Sequence, residues 1–292
     1  MPNLQHRLVE CYVFIDDYLQ AHPDVADWRR SNNDEPDFTD AEVLTIALMQ
    51  TIALMQGYFR TDTLKRTYRL ISQNASEAFP ERPGYKQWIR RLNRLTDLVG
   101  RLVRAAALRA AATNLKRLYV VDSFSISLCQ PVRHGRVRLL SEDGAYFGRS
   151  AKGWFFGFQI HALIHQPTGV VLTAMLLPGN WDDRRAVRAM ALSTGGGVLL
   201  GDQGYSGEDT GEETFDWLYD EAQTLRVMPS DEGKEGLSAV SQVRQRIESS
   251  FSELWRRFAD RIYSRSWHGL WTNLLLKILD FNMERAGIIA TA

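Results

Sequence analysis

The chain has 292 residues, 45% of them hydrophobic and 24% charged, an ordinary globular composition with room for one large domain or two smaller ones. No apolar run is long enough to span a membrane, and the polar start Met1-Pro2-Asn3-Leu4 is unlike a secretory leader. Two distant cysteines, Cys11 and Cys129, suit free thiols in a reducing cytoplasm, not a disulfide frame or a zinc site. The net charge is zero, but the charges are segregated. Acids dominate up to residue 59, whereas from Arg60 to Arg117 fourteen basic residues stand against four acids. Such a stretch is either a set of solvated helix faces or a surface for a polyanion.

Residues 4 to about 114 read as helices. Leu4, Leu8, Tyr12, Ile15 and Leu19 share one helical face, and His22-Pro23 ends that helix. Thr39 and Glu42 form a capping box that opens a second helix. This helix contains TIALMQ twice in tandem, at 45–50 and 51–56, apolar nearly all round as in a buried helix. A small in-frame duplication without a role explains the repeat. Leu64 to Ile71 and Tyr85 to Leu95 form two shorter helices across a loop with Pro80, Pro83 and Gly84, and Thr96 to Ala112 forms a longer one. Short helices with basic faces suit a helix-turn-helix-like DNA module, and equally a bundle that binds nothing.

After residue 115 the texture changes to strands. Leu118 to Ile126, Phe155 to Ile164 and Gly169 to Leu177 are rich in β-branched and aromatic residues, the last two joined by a short turn at Gln166-Pro167-Thr168. There follow a helix (Arg184 to Leu192), a strand ending at Asp202, a helix (Glu212 to Ala222), a short strand (Thr224 to Met228) and a long helix (about Ser238 to Phe258). That order predicts a mixed sheet with crossover helices. Leu270 to Ile289 is a final amphipathic helix.

Two acids break apolar strands. Asp122 lies within LYVVDSFSI, on the same face as Val120 and Phe124 by alternation, and Asp202 ends the strand of VLLGDQGYSG, at the strand end where open sheets with crossovers bind ligands. Each has a plain alternative, Asp122 as acceptor for a backbone amide and Asp202 as a turn or cap residue. On neighbouring strands the two would repel strongly unless a divalent cation sat between them. Glu248 lies at the edge of the stripe Val240, Val243, Ile247, Phe251, Leu254 and Phe258, from which it can look back at the sheet. Arg244, one turn earlier, either pairs with Glu248 or holds a phosphate. His161 reads as a satisfied core histidine, and Asp182 and Asp183 as caps of the helix from Arg184.

In chain order, VVDSFSI, KGWFFGFQIH, LPGNWDD, GDQGYSG and RQRIESSFSELWRRF resemble the blocks of the RNase H-like DDE transposases of bacterial insertion sequences. The resemblance covers about 115–260 and extends more loosely to the helical N-terminus. Its Arg-x-x-x-Glu spacing matches Arg244 and Glu248; Ser241 stands where a tyrosine is expected, and Trp255, followed by Arg256, where a lysine is. The resemblance implies an α/β fold, an RNase H-like mixed sheet with flanking helices, preceded by an all-α N-terminal domain. In these terms 1–114 is a helical DNA-binding domain, 115–262 the catalytic domain, and 263–292 a C-terminal helix packing on the catalytic domain. The resemblance also implies that Asp122, Asp202 and Glu248 are the catalytic residues and hold two Mg2+ ions, with Mn2+ able to substitute and Asp122 bridging. The implied reaction is phosphoryl transfer on DNA. Water cleaves at the transposon end, and the freed 3′-hydroxyl is joined to target DNA.

The implied partners are double-stranded DNA (transposon ends and target) and a second copy of the chain in a synaptic homodimer. The implied location is the cytoplasm, at the nucleoid when bound to DNA. Between the first two strands, the Gln130 to Gly153 loop holds Arg133, His134, Arg136, Arg138, Arg149 and Lys152, followed by Trp154, Phe155 and Phe156. Basic residues with aromatics grip phosphates and stack on an unpaired base; Phe156 and Phe158 read instead as sheet core. Arg133, Arg136, Arg138, Arg149, Lys152, Trp154, Arg244 and Arg256 are thus the expected DNA contacts. The rivals are an RNase H-like nuclease or resolvase that cuts without joining, and a catalytically silent DNA-binding relative. The presence of all three acids speaks against the second.

Overall fold

The computed structural model describes residues 4–25, 36–56, 63–137, 140, 144–150, 153–201, 220, 224–227, 253 and 264–289. The chain divides into two compact units, the first of residues 1–107, 254–264 and 268–292, the second of residues 108–253 and 265–267. The first unit is helical: α1 (Leu4–Ala21), α2 (Asp40–Gln56), α3 (Leu64–Asn74), α4 (Tyr85–Arg94) and α5 (Thr96–Ala111, whose last turn crosses into the second unit). A C-terminal helix, Trp267–Arg285, completes it and is named α7 below.

Helix α1 buries Leu8, Cys11 and Ile15 together with Arg7, whose guanidinium donates to Glu10 at 2.6 Å. The buried stripe is thus centred nearer Cys11 than the apolar spacing predicts, because Arg7 enters the interior with its own carboxylate. The capping box opens α2 as expected. The Thr39 amide donates to Glu42 Oε2 at 2.6 Å, and the Glu42 amide donates to Thr39 Oγ1 at 3.2 Å. Val43, Leu44, Ile46, Leu48 and Met49 are all fully buried, as an apolar all-round helix requires.

The C-terminal helix clusters with the N-terminal helices. Thr272 shares a 2.6 Å hydroxyl contact with Thr96, and Asn282 Nδ2 donates to the Val103 carbonyl at 3.0 Å. Leu274, Leu275, Leu276, Ile278, Leu279, Phe281 and Met283 are buried. The helix is buried on nearly every side and not on one face as expected of an amphipathic helix. Thr272 and Asn282 find their partners on α5.

The second unit holds β1 (Leu118–Cys129), β2 (Tyr146–Ser150), β3 (Gly153–His165), β4 (Val170–Pro178), α6 (Asp183–Ala191), β5 (Gly197–Leu200) and β6 (Thr224–Val227). Among the described residues one sheet runs β2-β3-β1-β5-β6, with β4 also pairing to β3. β2 pairs with residues 153–157 of β3 and β4 with residues 158–165, so the two share one edge of β3. β1–β3 and β3–β4 are antiparallel, β1–β5 and β5–β6 parallel. This is the RNase H-like mixed sheet expected, with β2 as an addition inside what reads in the sequence as a loop. Gly169, at φ +71°, turns the β3–β4 hairpin and donates its amide to the His165 carbonyl at 2.7 Å. Of the helix expected over Glu212 to Ala222 only residue 220 is described, and of that over Ser238 to Phe258 only residue 253; both are helical. No helix among the described residues is long and apolar enough to cross a membrane.

Candidate active site

Asp122 sits in the middle of β1, half-buried, with the buried residues Val120 and Val121 before it. Its cross-strand partner on β3 is Ala162, which places a small residue opposite the carboxylate. The Ser123 amide donates to Asp122 Oδ1 at 2.7 Å. On its other edge β1 runs parallel to β5, with Val120 paired to Leu200. The carboxylate is therefore held on a central strand by a backbone donor, an oxygen ligand of the hard kind that Mg2+ prefers. Asp202 and Glu248 lie outside the described residues, and among the described residues no group of three or more acids, histidines or cysteines could hold a metal ion.

The opposite face of β1 carries a polar cluster that the sequence reading missed. Ser123 pairs with His161 across β1 and β3, so both point away from Asp122. Gln159 Nε2 donates to Ser123 Oγ at 2.6 Å and to Asp183 Oδ1 at 3.2 Å, linking β1 and β3 to the first turn of α6. Asp183, expected as a cap, lies in the first turn of α6 and accepts this bond from β3. The only sequence signal was alternation, with Ser123, Ser125, Gln159 and His161 interleaving with apolar residues; which of them meet depends on register.

His161 departs from expectation. It is fully buried, and among the described residues neither ring nitrogen finds a hydrogen-bond partner; Asp183 Oδ1 lies 3.8 Å from Nε2. Burial pulls its pKa down to about 4, so desolvation outweighs the nearby carboxylate and the ring is neutral near pH 7. The satisfied core histidine is His165 instead. Its Nδ1 meets Thr168 Oγ1 at 2.7 Å and its Nε2 meets the Lys116 carbonyl at 2.8 Å.

A second surface lies where β2 meets the start of β3. Arg149 pairs with Trp154 and Phe147 with Phe156, so these four share a face. His134, from a 3-10 turn over Pro131–Arg136, packs its ring against Phe147 at 4.8 Å and Phe156 at 5.9 Å. Trp154 is 64% exposed, and Arg133, Arg136 and Arg149 are exposed too. Phe155, Phe156 and Phe158 are buried, so of the aromatics that follow Lys152 only Trp154 is offered to solvent. Arg138, Lys152, Arg244 and Arg256 lie outside the described residues.

Against known proteins, a family model described as "Transposase DDE domain" matches residues 112–229. The matched stretch opens just before β1 and closes just after β6; it contains Asp122 and Asp202, whereas Glu248 falls beyond it. No curated protein and no solved structure matches the chain.

Proposed function

We propose that the chain, whose residues 112–229 match a family model described as "Transposase DDE domain", is an insertion-sequence transposase that cleaves DNA at transposon ends and joins the freed 3′-hydroxyl to target DNA. One observation carries the reading. In the parallel pair of β1 and β5, Val120 lies beside Leu200. Asp122 is the second residue after Val120, and Asp202 is the second residue after Leu200. Equal sequence spacing of the two acids beyond a paired position of parallel strands supports a shared cation site. Turn or cap roles leave that coincidence unexplained.

In this reading Asp122, Asp202 and Glu248 hold a pair of Mg2+ ions, for which Mn2+ can substitute. When bound, the pair supplies activation of the attacking oxygen and stabilisation of the leaving one. In cleavage a phosphorus–oxygen bond at the transposon end breaks as water attacks phosphorus. In joining, the freed 3′-oxygen attacks phosphorus of the target strand. No side chain need become covalently attached. The Ser123 amide orients the Asp122 carboxylate. Arg133, Arg136, Arg138, Arg149 and Lys152 hold phosphates beside the site, Trp154 offers a ring for an unpaired base, and Arg244 and Arg256 grip the DNA backbone. The helical N-terminus, 1–114, binds the ends, and two copies bring two ends together. Such a protein works in the cytoplasm, on nucleoid DNA.

The test is a supercoiled plasmid carrying this gene with its flanking DNA, incubated with purified protein and Mg2+. Cuts at discrete flanking positions followed by joined products are expected, both abolished by chelation. Cutting without joining would leave only the nuclease reading, and neither would sink both.

A further inference from the structure

Helix α4 has two unlike faces. Trp88 and Leu92 are fully buried, whereas Lys86, Gln87, Arg90 and Arg94 are exposed. At about 100° per residue, Asn93, Lys86, Arg90, Arg94 and Gln87 fall within an arc of about 120° centred near Arg90. The buried face is locked in place. Trp88 Nε1 donates to the Val43 carbonyl at 3.2 Å, and its ring lies 5.1 Å from that of Tyr68, whose hydroxyl donates to the Pro83 carbonyl. Arg91 is committed to α2, with Nε and a terminal nitrogen on Asp40 Oδ1 at 3.1 and 2.7 Å. Beside the exposed face runs a groove of about 810 Å³, lined by Gln87, Arg90, Asn93 and Arg94 and by the acidic residues Asp37 and Glu81.

We infer that α4 reads the major groove of duplex DNA, with Arg90 and Gln87 reaching base edges and Lys86 and Arg94 holding flanking phosphates. Ten residues make a helix about 15 Å long, and the major groove, about 12 Å wide, admits it. Arginine pairs with guanine O6 and N7, and glutamine or asparagine with adenine N6 and N7. The two acidic residues lining the groove repel phosphate, but they complement the N4 amine of cytosine, which points to bases as well as backbone. Helices α2, α3 and α4 form a three-helix arrangement in which the last presents its polar face. The α3–α4 connection, residues 75–84, is longer than the three or four residues of the tight-turn motif, so the chemistry of the face carries the assignment. A role at transposon ends rests on the function proposed above; contact with duplex DNA does not.

The experiment uses the full chain and a library of duplexes with a randomised core. Wild type should enrich one motif and prefer it to a scrambled duplex. Arg90→Ala and Gln87→Ala should each lose about tenfold or more of that preference. Arg90→Lys, which keeps the charge but not the fork, should restore general affinity and not the preference. Lys86→Ala should weaken both duplexes alike and lower the salt slope by about one. Wild-type preference in Arg90→Ala and Gln87→Ala, or no motif with wild type, overturns the inference. Joining of a pre-cleaved end in Mg2+, assayed in parallel, separates the two readings. Joining with unaltered preference in the α4 variants sinks α4 alone, whereas selection through α4 without cutting or joining sinks the transposase and leaves α4 standing.

Discussion

His161 and His165 lie four residues apart on β3 and meet opposite fates, one with neither ring nitrogen hydrogen-bonded among the described residues and the other with both engaged. His161 therefore resists protonation in the folded state. Its folded pKa of about 4 is below the ordinary 6.5, so between these values the unfolded chain binds a proton that the folded one does not. Stability must then fall as pH drops from about 6.5 towards about 4, by up to about 3 kcal/mol from this residue. Urea midpoints between about pH 7 and pH 4 should show a steeper acid loss in wild type than in His161→Gln; equal slopes would refute the assignment. In the sequence the two histidines look alike, because the difference depends on what β1 and α6 place opposite them. That Asp122 lies within a strand was legible, since a carboxylate amid Val120, Val121 and Phe124 is conspicuous without any structure.

Elements were legible where a local signal fixed them. Thr39 and Glu42 announced the start of α2, and Thr39→Ala should lower the thermal midpoint by an amount equivalent to about 1 kcal/mol. β2 escaped, because YFGRS is short, contains glycine and lacks alternation; it is a strand only because residues 153–157 of β3 offer it an edge. Gly157 shows how closely these strands approach. A Cβ there would lie 2.1 Å from the Ile126 carbonyl oxygen, beside the register shift between Ser127 and Cys129. Gly157→Ala should therefore cost about 1–3 kcal/mol in chemical denaturation. A variant as stable as wild type would mean that β1 and β3 are not so paired.

Over the whole molecule, the order of the sequence blocks anticipated the sheet, since strand and crossover order leaves few topologies open. The chain's last helix finds partners for Asn282 and Thr272 on α5. Deleting residues 265–292 should uncover the buried α5 residues Val99, Leu102 and Val103, and speed amide exchange along α5; unchanged exchange would contradict the placement. The basic residues between Arg60 and Arg117 fall mostly in this same helical unit, which is where α4 presents its face. The central claim is that Asp122 works with Asp202 and Glu248 as one metal-binding unit, and one measurement bears on it most directly. Joining of a pre-cleaved transposon end in Mg2+ is compared for wild type and Asp122→Asn, with a gel shift on the same duplex. The asparagine keeps the side chain's shape and leaves the basic surfaces intact, but it removes the charge proposed to hold a cation. Joining should fall to background while DNA binding is unchanged, and Asp122→Asn combined with Glu248→Gln should be little worse than either alone. A folded, DNA-binding Asp122→Asn protein that joins ends at a near-normal rate would contradict the account.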